Sequence, residues 1–206
     1  MGIKERRERQ KEFLRQEILE AARELFVKEG YENVSMRKIA EKIEYSPTTI
    51  YIHFKDKADL LFCICEETFE KLLKGLDEVA CLSDNDPVKC LEAGIRKYIY
   101  FGLTHPNDYK VAFMYRPEDL AMEDINRFLS PDSMGNQAYA RLRDIVVECI
   151  KQKKFKEVDP ELVTQSFWTT AHGIVSLLII KCHFPWVDQE QLISHTINSL
   201  IDSLKV

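Results

Sequence analysis

Apolar residues recur every three or four positions along most of this chain, which is the spacing of one face of an α-helix. The first such series predicts a helix over about residues 10–29, with Leu14, Ile18, Ala21 and Leu25 on one face. Gly30 follows as the glycine that commonly ends a helix. This first helix is expected to be the hydrophobic support for the elements that follow.

Two short helices joined by a tight break are predicted next, within residues 35–57. The first has an N-terminal cap candidate and an apolar stripe, formed by Ser35 and then by Met36, Ile39, Ala40 and Ile43. The second begins at Ser46-Pro47, with a capping serine followed by a proline where no amide hydrogen is needed. Two short helices in this order form a helix-turn-helix, in which the second helix enters a DNA major groove.

The second short helix has polar side chains that suit DNA. Thr48 and Thr49 offer hydroxyl and methyl groups to base edges, whereas Ile50 and Phe54 are interpreted as core residues. Arg37 is either part of a solvated face or a backbone anchor, and Tyr51 is either half-buried structure or a phosphate contact. The predicted DNA-binding residues are Ser35, Arg37, Ser46, Thr48, Thr49, Tyr51, His53, Lys55 and Lys57.

The same segment resembles the DNA-binding region of the TetR family of bacterial transcriptional regulators. The resemblance covers about residues 10–61 and rests on Tyr51-Ile52-His53-Phe54, followed by Lys55-Asp56-Lys57 and Leu60-Leu61. One position departs from the family, which usually has glycine in the turn where this chain has Glu44. A non-glycine residue in a left-handed turn costs about 1 kcal/mol.

Further helices are predicted through the rest of the chain. The one after the helix-turn-helix is expected to act as a mechanical link, so that moving its far end displaces the recognition helix. The predicted helices span about residues 57–81, 87–104, 136–154 and 160–181, with a short helix after His105-Pro106 and a last helix that starts at Asp188. Residues 83–87 and 155–160 are interpreted as turns, and 116–135 as a loop with about one helical turn.

The two C-terminal helices have wide apolar faces. Residues 174–180 are apolar on nearly every side, which is typical of a helix buried on more than one face. The last helix has one stripe of Ile193, Ile197, Leu200 and Leu204. We expect two copies of this hairpin to form a four-helix bundle in a homodimer. The alternative is that these faces pack only within one chain.

A second resemblance lies in the C-terminal half. Trp168-x-x-x-His172-Gly173 is similar to a signature of one C-terminal subgroup of TetR-type regulators, and the His-Pro-x-x-Tyr run at 105–109 fits the same subgroup. Members of such a subgroup bind different ligands, so the resemblance implies a regulator and names no effector.

A surplus of aromatic and methionine side chains suggests a largely apolar small-molecule site between helices. The alternative is the ordinary core of a helical bundle, with His172 as a hydrogen-bonded core histidine. The candidate ligand-binding residues are Tyr98, Phe101, Phe113, Met114, Phe128, Tyr139, Trp168 and His172.

Charge is unevenly distributed along the 206 residues. The formal net charge is −5, but residues 1–60 hold 13 Lys and Arg against 12 Asp and Glu. DNA affinity would therefore depend on cations gathered on one face. Residues 1–9, MGIKERRER, are either a frayed helix start or a flexible basic arm that touches DNA.

The sequence offers no constellation for catalysis, so we predict no enzyme, cofactor or metal. Six cysteines without CxxC spacing favour reduced, buried thiols, with a redox sensor as the alternative. Cys182-His183 with His195 is a poor metal site because adjacent helical residues project about 100° apart. The longest apolar run, 174–180, is too short to span a bilayer, and no apolar signal region is present, which predicts a cytoplasmic protein.

The sequence therefore predicts an all-α protein with two domains. Residues 1–56 would form a three-helix DNA-binding domain, and residues 57–206 a helical ligand-binding and dimerisation domain. The predicted function is that of a homodimeric repressor that binds operator DNA and is released by a small apolar effector. The alternative is a helical ligand-binding or protein-interaction module without sequence-specific DNA binding.

Overall fold

The computed structural model describes residues 2–80, 86–115 and 120–206, and in these ranges the regular elements are helices. The expected all-α class is confirmed. The helices are α1 (Ile3–Glu29), α2 (Met36–Lys42), α3 (Pro47–His53), α4 (Lys57–Ala80), α5 (Pro87–Thr104), α6 (Pro106–Tyr109), α7 (Met122–Phe128), α8 (Met134–Lys151), α9 (Pro160–Ile180) and α10 (Gln189–Leu204). A 3₁₀ turn (Tyr31–Asn33) follows α1, and a π-helical turn (Lys110–Met114) follows α6. The predicted turn at 83–85 and residues 116–119 of the predicted loop lie outside the described residues.

Helix ends follow the predicted capping chemistry. The Ser35 hydroxyl accepts a hydrogen bond from the Lys38 amide at 3.2 Å. Gly30 ends α1 with a φ of 83°, a conformation that costs glycine little. Aspartates cap three later helices by accepting a backbone N–H, namely Asp86 on α5, Asp159 on α9 and Asp188 on α10. These caps explain why the later helix starts could be located from sequence.

The chain packs into two compact units. The first comprises Met1–Thr68 and Asn107–Ser133, and the second comprises Phe69–Pro106 and Met134–Val206. The boundary between units falls inside α4, and the predicted 57–206 domain contributes residues to both. The division at 56/57 therefore stays a prediction about function and differs from the packing boundary.

The first unit has its core beneath α1. Ile18, Leu19 and Phe26 of α1 are fully buried together with Ile39 of α2 and Ile50 of α3. Because every helix of the helix-turn-helix contributes to this core, α3 is held by packing on its inner side.

The second unit is built around α5, which packs against α8, α9 and α10. Its fully buried side chains include Leu91 and Ile99 of α5, Val146 of α8 and Val175 of α9. By length and composition alone, α9 is the one described helix that could cross a membrane, a test that core helices of soluble proteins also pass.

Several boundaries differ from the sequence prediction. Helix α1 begins at Ile3 instead of about residue 10, and α7 forms two turns inside the expected loop. Phe155, expected in a polar turn, is only 2% exposed. The Lys156 amide donates to the Leu204 carbonyl at 2.9 Å, and Phe155 forms an antiparallel bridge with Lys205. The backbone at Phe155 thus pairs with the C-terminus, a long-range pairing that local pattern does not reveal.

Candidate nucleic-acid interface

The turn between α2 and α3 has the expected left-handed residue. Glu44 has a φ of 61°, and the amide of Tyr45 donates to the carbonyl of Ala40 at 3.0 Å. This six-to-one bond closes a helix in the way that glycine turns usually do. The glutamate therefore does not prevent the helix-turn-helix geometry.

Helix α3 is anchored on one side and open on the other. Ile50 and Phe54 are 0% and 2% exposed, which confirms their interpretation as core residues, whereas Tyr51 is 55% exposed. Thr48 is also exposed, and Ile52 lies beside Tyr51 on the open side. The helix thus presents a surface that has a hydroxyl at Thr48 and a phenol at Tyr51.

The two threonines of α3 have different environments. The Thr49 amide donates to the Ser46 hydroxyl at 3.2 Å, and its own hydroxyl lies 2.9 Å from the same oxygen. Thr49 and Ser46 therefore belong to the N-terminal cap of α3. Thr48 has no such role in this cap and is the better placed of the two threonines for contact with a base.

Lys57 has a structural contact that the sequence did not indicate. Its ammonium donates to the Tyr31 carbonyl at 2.8 Å and lies 4.0 Å from the centroid of the Tyr31 ring. Its predicted phosphate contact stays a prediction. Lys55, two residues before α4 begins, is exposed, and its backbone amide donates to the Asp59 carboxylate at 3.1 Å.

The basic residues of α2 are already engaged in ion pairs. Exposed Arg37 pairs with Glu41 at 3.0 Å, one helical turn away, and Lys38 pairs with Glu29 of α1. Surface pairs of this kind contribute little to stability. Arg37 can therefore exchange Glu41 for another anion at small cost, and its role as an anchor stays a prediction.

His53 lies at the C-terminal end of α3 in a cationic environment. Partial burial, together with the positive charges of Lys11 and Arg15, lowers its pKa from the usual value of 6.5, although Glu12 acts in the opposite direction. The guanidinium of Arg15 lies 5.2 Å from the centroid of the Phe54 ring. Two α1 residues that were not among the predicted DNA contacts therefore border the recognition helix.

A buried charge cluster lies beneath α1 in the first unit. Arg23 is 7% exposed, and its Nε lies 2.6 Å from Oδ1 of Asp108 on α6. Its other nitrogen atoms pair with Glu20 and, at 3.5 Å, with Glu67 of α4. The sequence prediction missed this cluster, although Arg23 follows Leu19 by four positions and therefore shares the apolar face of α1.

Three of the candidate ligand-binding residues lie in the first unit. Phe113 stacks on Tyr109 with ring centroids 4.5 Å apart, and Phe128 meets Phe62 edge to face at 5.2 Å. Met114 is half-buried at the end of the π-helical turn. These contacts are those of ordinary core packing.

The other five candidates lie in the second unit. Tyr139 and Trp168 meet edge to face with centroids 5.7 Å apart, and the Tyr139 hydroxyl donates to Glu161. Phe101 is buried and stacks on His105, and Tyr98 is half-buried. Burial lowers the pKa of half-buried His172, which favours the neutral imidazole. The eight candidates are thus divided between the units.

The described ranges contain no candidate metal site. No group of three or more His, Cys, Asp or Glu side chains there is arranged to hold an ion. The described cysteines are unpaired, and burial raises the pKa of the Cys65 and Cys149 thiols to about 12, which makes them poor nucleophiles.

Comparison with known proteins matches both halves of the chain to one family. A family model described as bacterial regulatory proteins, tetR family, matches residues 18–64. A second, described as tetracyclin repressor-like, C-terminal domain, matches residues 91–200, which is more than half of the chain. The Trp-x-x-x-His-Gly subgroup is not tested by these matches and stays a prediction.

Individual relatives agree with this result. A helix-turn-helix-type transcriptional regulator of Staphylococcus aureus (strain USA300) is 43% identical over 65 residues, which are 32% of this chain and 35% of the relative. The matched segment thus spans about a third of the curated relatives.

Solved structures match the fold over nearly the whole chain. The TetR family transcriptional regulator PfmR of Thermus thermophilus is 21% identical, with a TM-score of 0.69 over 92% of this chain and 96% of that one. A TetR family transcription regulator of Marinobacter aquaeolei is 20% identical, with a TM-score of 0.70 over 98% of both chains. The chain therefore belongs to the TetR family of bacterial regulatory proteins.

Proposed function

We propose that this protein is a cytoplasmic, homodimeric transcriptional repressor that binds operator DNA and is released by a small, largely apolar effector. It acts by binding and not by catalysis, as the regulators to which it is related do. The observation that carries the proposal is the open face of α3, which combines exposed Thr48 and Tyr51 with a buried inner side.

Recognition of DNA follows from the geometry of α3. Because Ile50 and Phe54 fix the helix on its core, the open face enters a major groove without rearrangement of the unit. Thr48 contacts a base edge, and the Tyr51 hydroxyl donates to a backbone phosphate. Lys55 adds a phosphate contact beyond the end of the helix.

Dimerisation is supported by the outer face of α9. Leu177 and Ile180 are 50% and 59% exposed, and exposed Leu162 lies on the same face near the start of the helix. Gly173 lies between them, and a Cβ added there would meet nothing within 4 Å. An open face with large apolar residues at its ends and a glycine inside it suits close packing against a second copy.

Two α3 helices in one dimer bind two successive major grooves, so the operator is a pseudo-palindrome. An effector can release the dimer only if it binds the DNA-incompetent state more tightly than the DNA-competent state. The apolar candidates, among which Tyr139 and Trp168 are in ring contact, favour an apolar effector.

The test is a binding titration of the purified protein with DNA from around its own gene, at several salt concentrations. Thr48→Val combined with Tyr51→Phe removes two hydroxyls at nearly constant side-chain shape. Each lost hydrogen bond contributes about 1–1.5 kcal/mol, so losing one weakens DNA binding roughly tenfold. Tyr100→Phe, which removes a hydroxyl that donates to Glu190 in the second unit, is the control and leaves binding unchanged.

The proposed function would be contradicted if the wild-type protein bound all fragments equally weakly and the double variant bound them with the same affinity. The chain would then be a ligand-binding or protein-interaction module that retains the helix-turn-helix fold. Tight binding to one fragment, abolished in the double variant, supports the repressor and identifies its operator.

A further inference from the structure

The N-terminal part of α1 is not used by the proposed function. The helix begins at Ile3, and residues 4–13 are all exposed, so about three helical turns extend from the buried part of α1. This extension is helical and not an irregular arm, which means that its side chains have fixed angular positions.

Cations lie along one face of this extension. Lys4, Arg7, Lys11 and Arg15 are separated by three, four and four positions, which places them in one row on a helix. At 100° per residue, Arg6 and Arg9 project from the opposite face. The extension therefore has two sets of basic residues that differ in direction.

The acidic residues of the extension form a separate row. Glu5, Glu8 and Glu12 lie to one side of the cations, at spacings of three and four. Glu5 accepts a hydrogen bond from the Gly2 amide at 2.9 Å, and Glu12 accepts one from Gln16 at 3.0 Å. Two of the three carboxylates are therefore engaged by neighbours along the first helix.

The cationic row faces the same side as the buried face of α1. Ile18 and Ala22, which are 0% exposed, follow Lys11 and Arg15 by seven positions each, two helical turns further along. The row thus continues the domain-facing side of the helix past the point where packing ends. The guanidinium carbon of Arg15 lies 5.2 Å from the centroid of the Phe54 ring, and Phe54 directly follows the last residue of α3.

The cationic row therefore begins beside the C-terminal end of α3 and runs outward along α1. The lowered pKa of His53 agrees with this position, since the charges of Lys11 and Arg15 contribute to it. From Lys4 to Lys11 the row covers roughly 10 Å of helix. One strand of B-DNA presents a phosphate about every 3.4 Å along its axis, so this length can meet more than one phosphate.

We propose that Lys4, Arg7 and Lys11 form a phosphate-binding face that contacts the DNA backbone beside the groove entered by α3. This inference rests on the proposed function and assigns α1 a part in it. Arg15 is excluded because its guanidinium pairs with Glu67 at 3.2 Å. The contacts are to phosphates and not to bases, so they strengthen binding to every DNA sequence alike.

The experiment compares two charge-matched variants, Arg7→Gln with Lys11→Gln and Arg6→Gln with Arg9→Gln. Each removes two positive charges from the same exposed stretch of helix, but from opposite faces. Binding to operator DNA and to an unrelated fragment is measured between low and high salt, and circular dichroism with thermal unfolding verifies that both variants remain folded.

The slope of log K against log salt is negative, and we expect the first variant to reduce its magnitude by about 0.9 for each phosphate that it no longer neutralises. At roughly 0.15 M salt the same relation predicts an affinity about fivefold weaker per phosphate, equally for both DNA fragments. The second variant should keep nearly the whole slope of the wild type.

Equal reductions of the slope in the two variants would overturn the inference, because they would reflect bulk charge alone. The inference would also be overturned if neither variant changed the slope while Tyr51→Phe still weakened operator binding. That second outcome would leave the proposed function intact. A wild-type protein that binds no operator fragment would instead reject the proposed function, and this inference with it.

Discussion

Glu44 and Lys153 are the two described non-glycine residues with a positive φ, at 61° and 55°. Such a conformation costs a side chain about 1 kcal/mol more than it costs glycine. We expect Glu44→Gly to raise the free energy of unfolding by up to about 1 kcal/mol, as measured by urea denaturation. Glu44→Val should lower it, because a β-branched residue fits this region poorly.

Lys153→Gly provides the matched comparison, since it relieves the same strain in the turn after α8. It should stabilise the protein to a similar extent without altering DNA affinity. If Lys153→Gly raised the free energy of unfolding and Glu44→Gly lowered it, the Glu44 side chain would make an interaction that outweighs its backbone strain.

His53 predicts a pH dependence of DNA binding. Its pKa in the free protein is below the usual value of 6.5, from partial burial and then from Lys11 and Arg15. Nearby phosphates would favour the imidazolium and raise this pKa, so binding takes up a proton and strengthens as pH falls. Each unit by which DNA raises the pKa is worth up to about tenfold in affinity, which is gained as pH falls through the pKa of the bound protein to below that of the free protein.

His53→Gln should remove this part of the pH dependence in titrations of operator DNA at fixed salt. Wild-type and variant curves that run parallel would show that His53 is not protonated on binding.

At the scale of helices, the buried pair of Arg23 and Asp108 joins α1 to α6 within the first unit. Removing one partner of a buried ion pair typically costs about 3 kcal/mol when the remaining charge is left uncompensated. Glu20 and Glu67 still pair with Arg23, so Asp108→Asn should lower the free energy of unfolding by at most about 3 kcal/mol, measured by chemical denaturation.

Glu41→Gln tests an exposed pair on the same unit. Its partner Arg37 is open to solvent, so the change should cost under about 1 kcal/mol. If Asp108→Asn were as mild, then Glu67 and Glu20 alone would be sufficient to compensate the Arg23 charge.

Most elements could be predicted from sequence because their signals are local. Caps such as Ser35, Ser46 and Asp159 and the three-to-four spacing of apolar residues located most helices to within a few positions. The early start of α1 was missed because Lys4 to Gln10 have no apolar stripe. Phe155 was misassigned because its backbone pairs with the distant C-terminus, which local pattern does not include.

The candidate site was predictable to the same degree. The core residues of α3 follow from its periodicity, so Ile50 and Phe54 could be assigned correctly. The sequence left Tyr51 as either half-buried structure or a phosphate contact, and the structure shows only that it is exposed. The cap role of Thr49 and the Lys57 contact with Tyr31 depend on tertiary geometry. So does the proximity of Lys11 to His53, since these residues are more than forty positions apart in the chain.

At the scale of the whole molecule, Gly173 offers a test of dimerisation. A larger side chain has open space there within one protomer, and replacing helical glycine favours the helix by roughly 0.8 kcal/mol. Gly173→Leu should therefore leave the protomer folded while raising the dimer dissociation constant at least about tenfold, as followed by analytical ultracentrifugation.

Leu177→Glu places a charge on the same face and should act in the same direction. A protein that stays equally dimeric with both substitutions would assign its self-association to a surface other than this face of α9.

If the open face of α9 forms the proposed dimer, it also determines how the protein responds to its own concentration. Two protomers must meet before two recognition helices are presented together, so the dimer grows with the square of protomer concentration while most of the chain is monomeric. Doubling gene dosage in that regime would quadruple the operator-binding species. A gene repressed by this dimer would then change between its expressed and repressed states over a narrower range of repressor concentration than a gene controlled by a monomer.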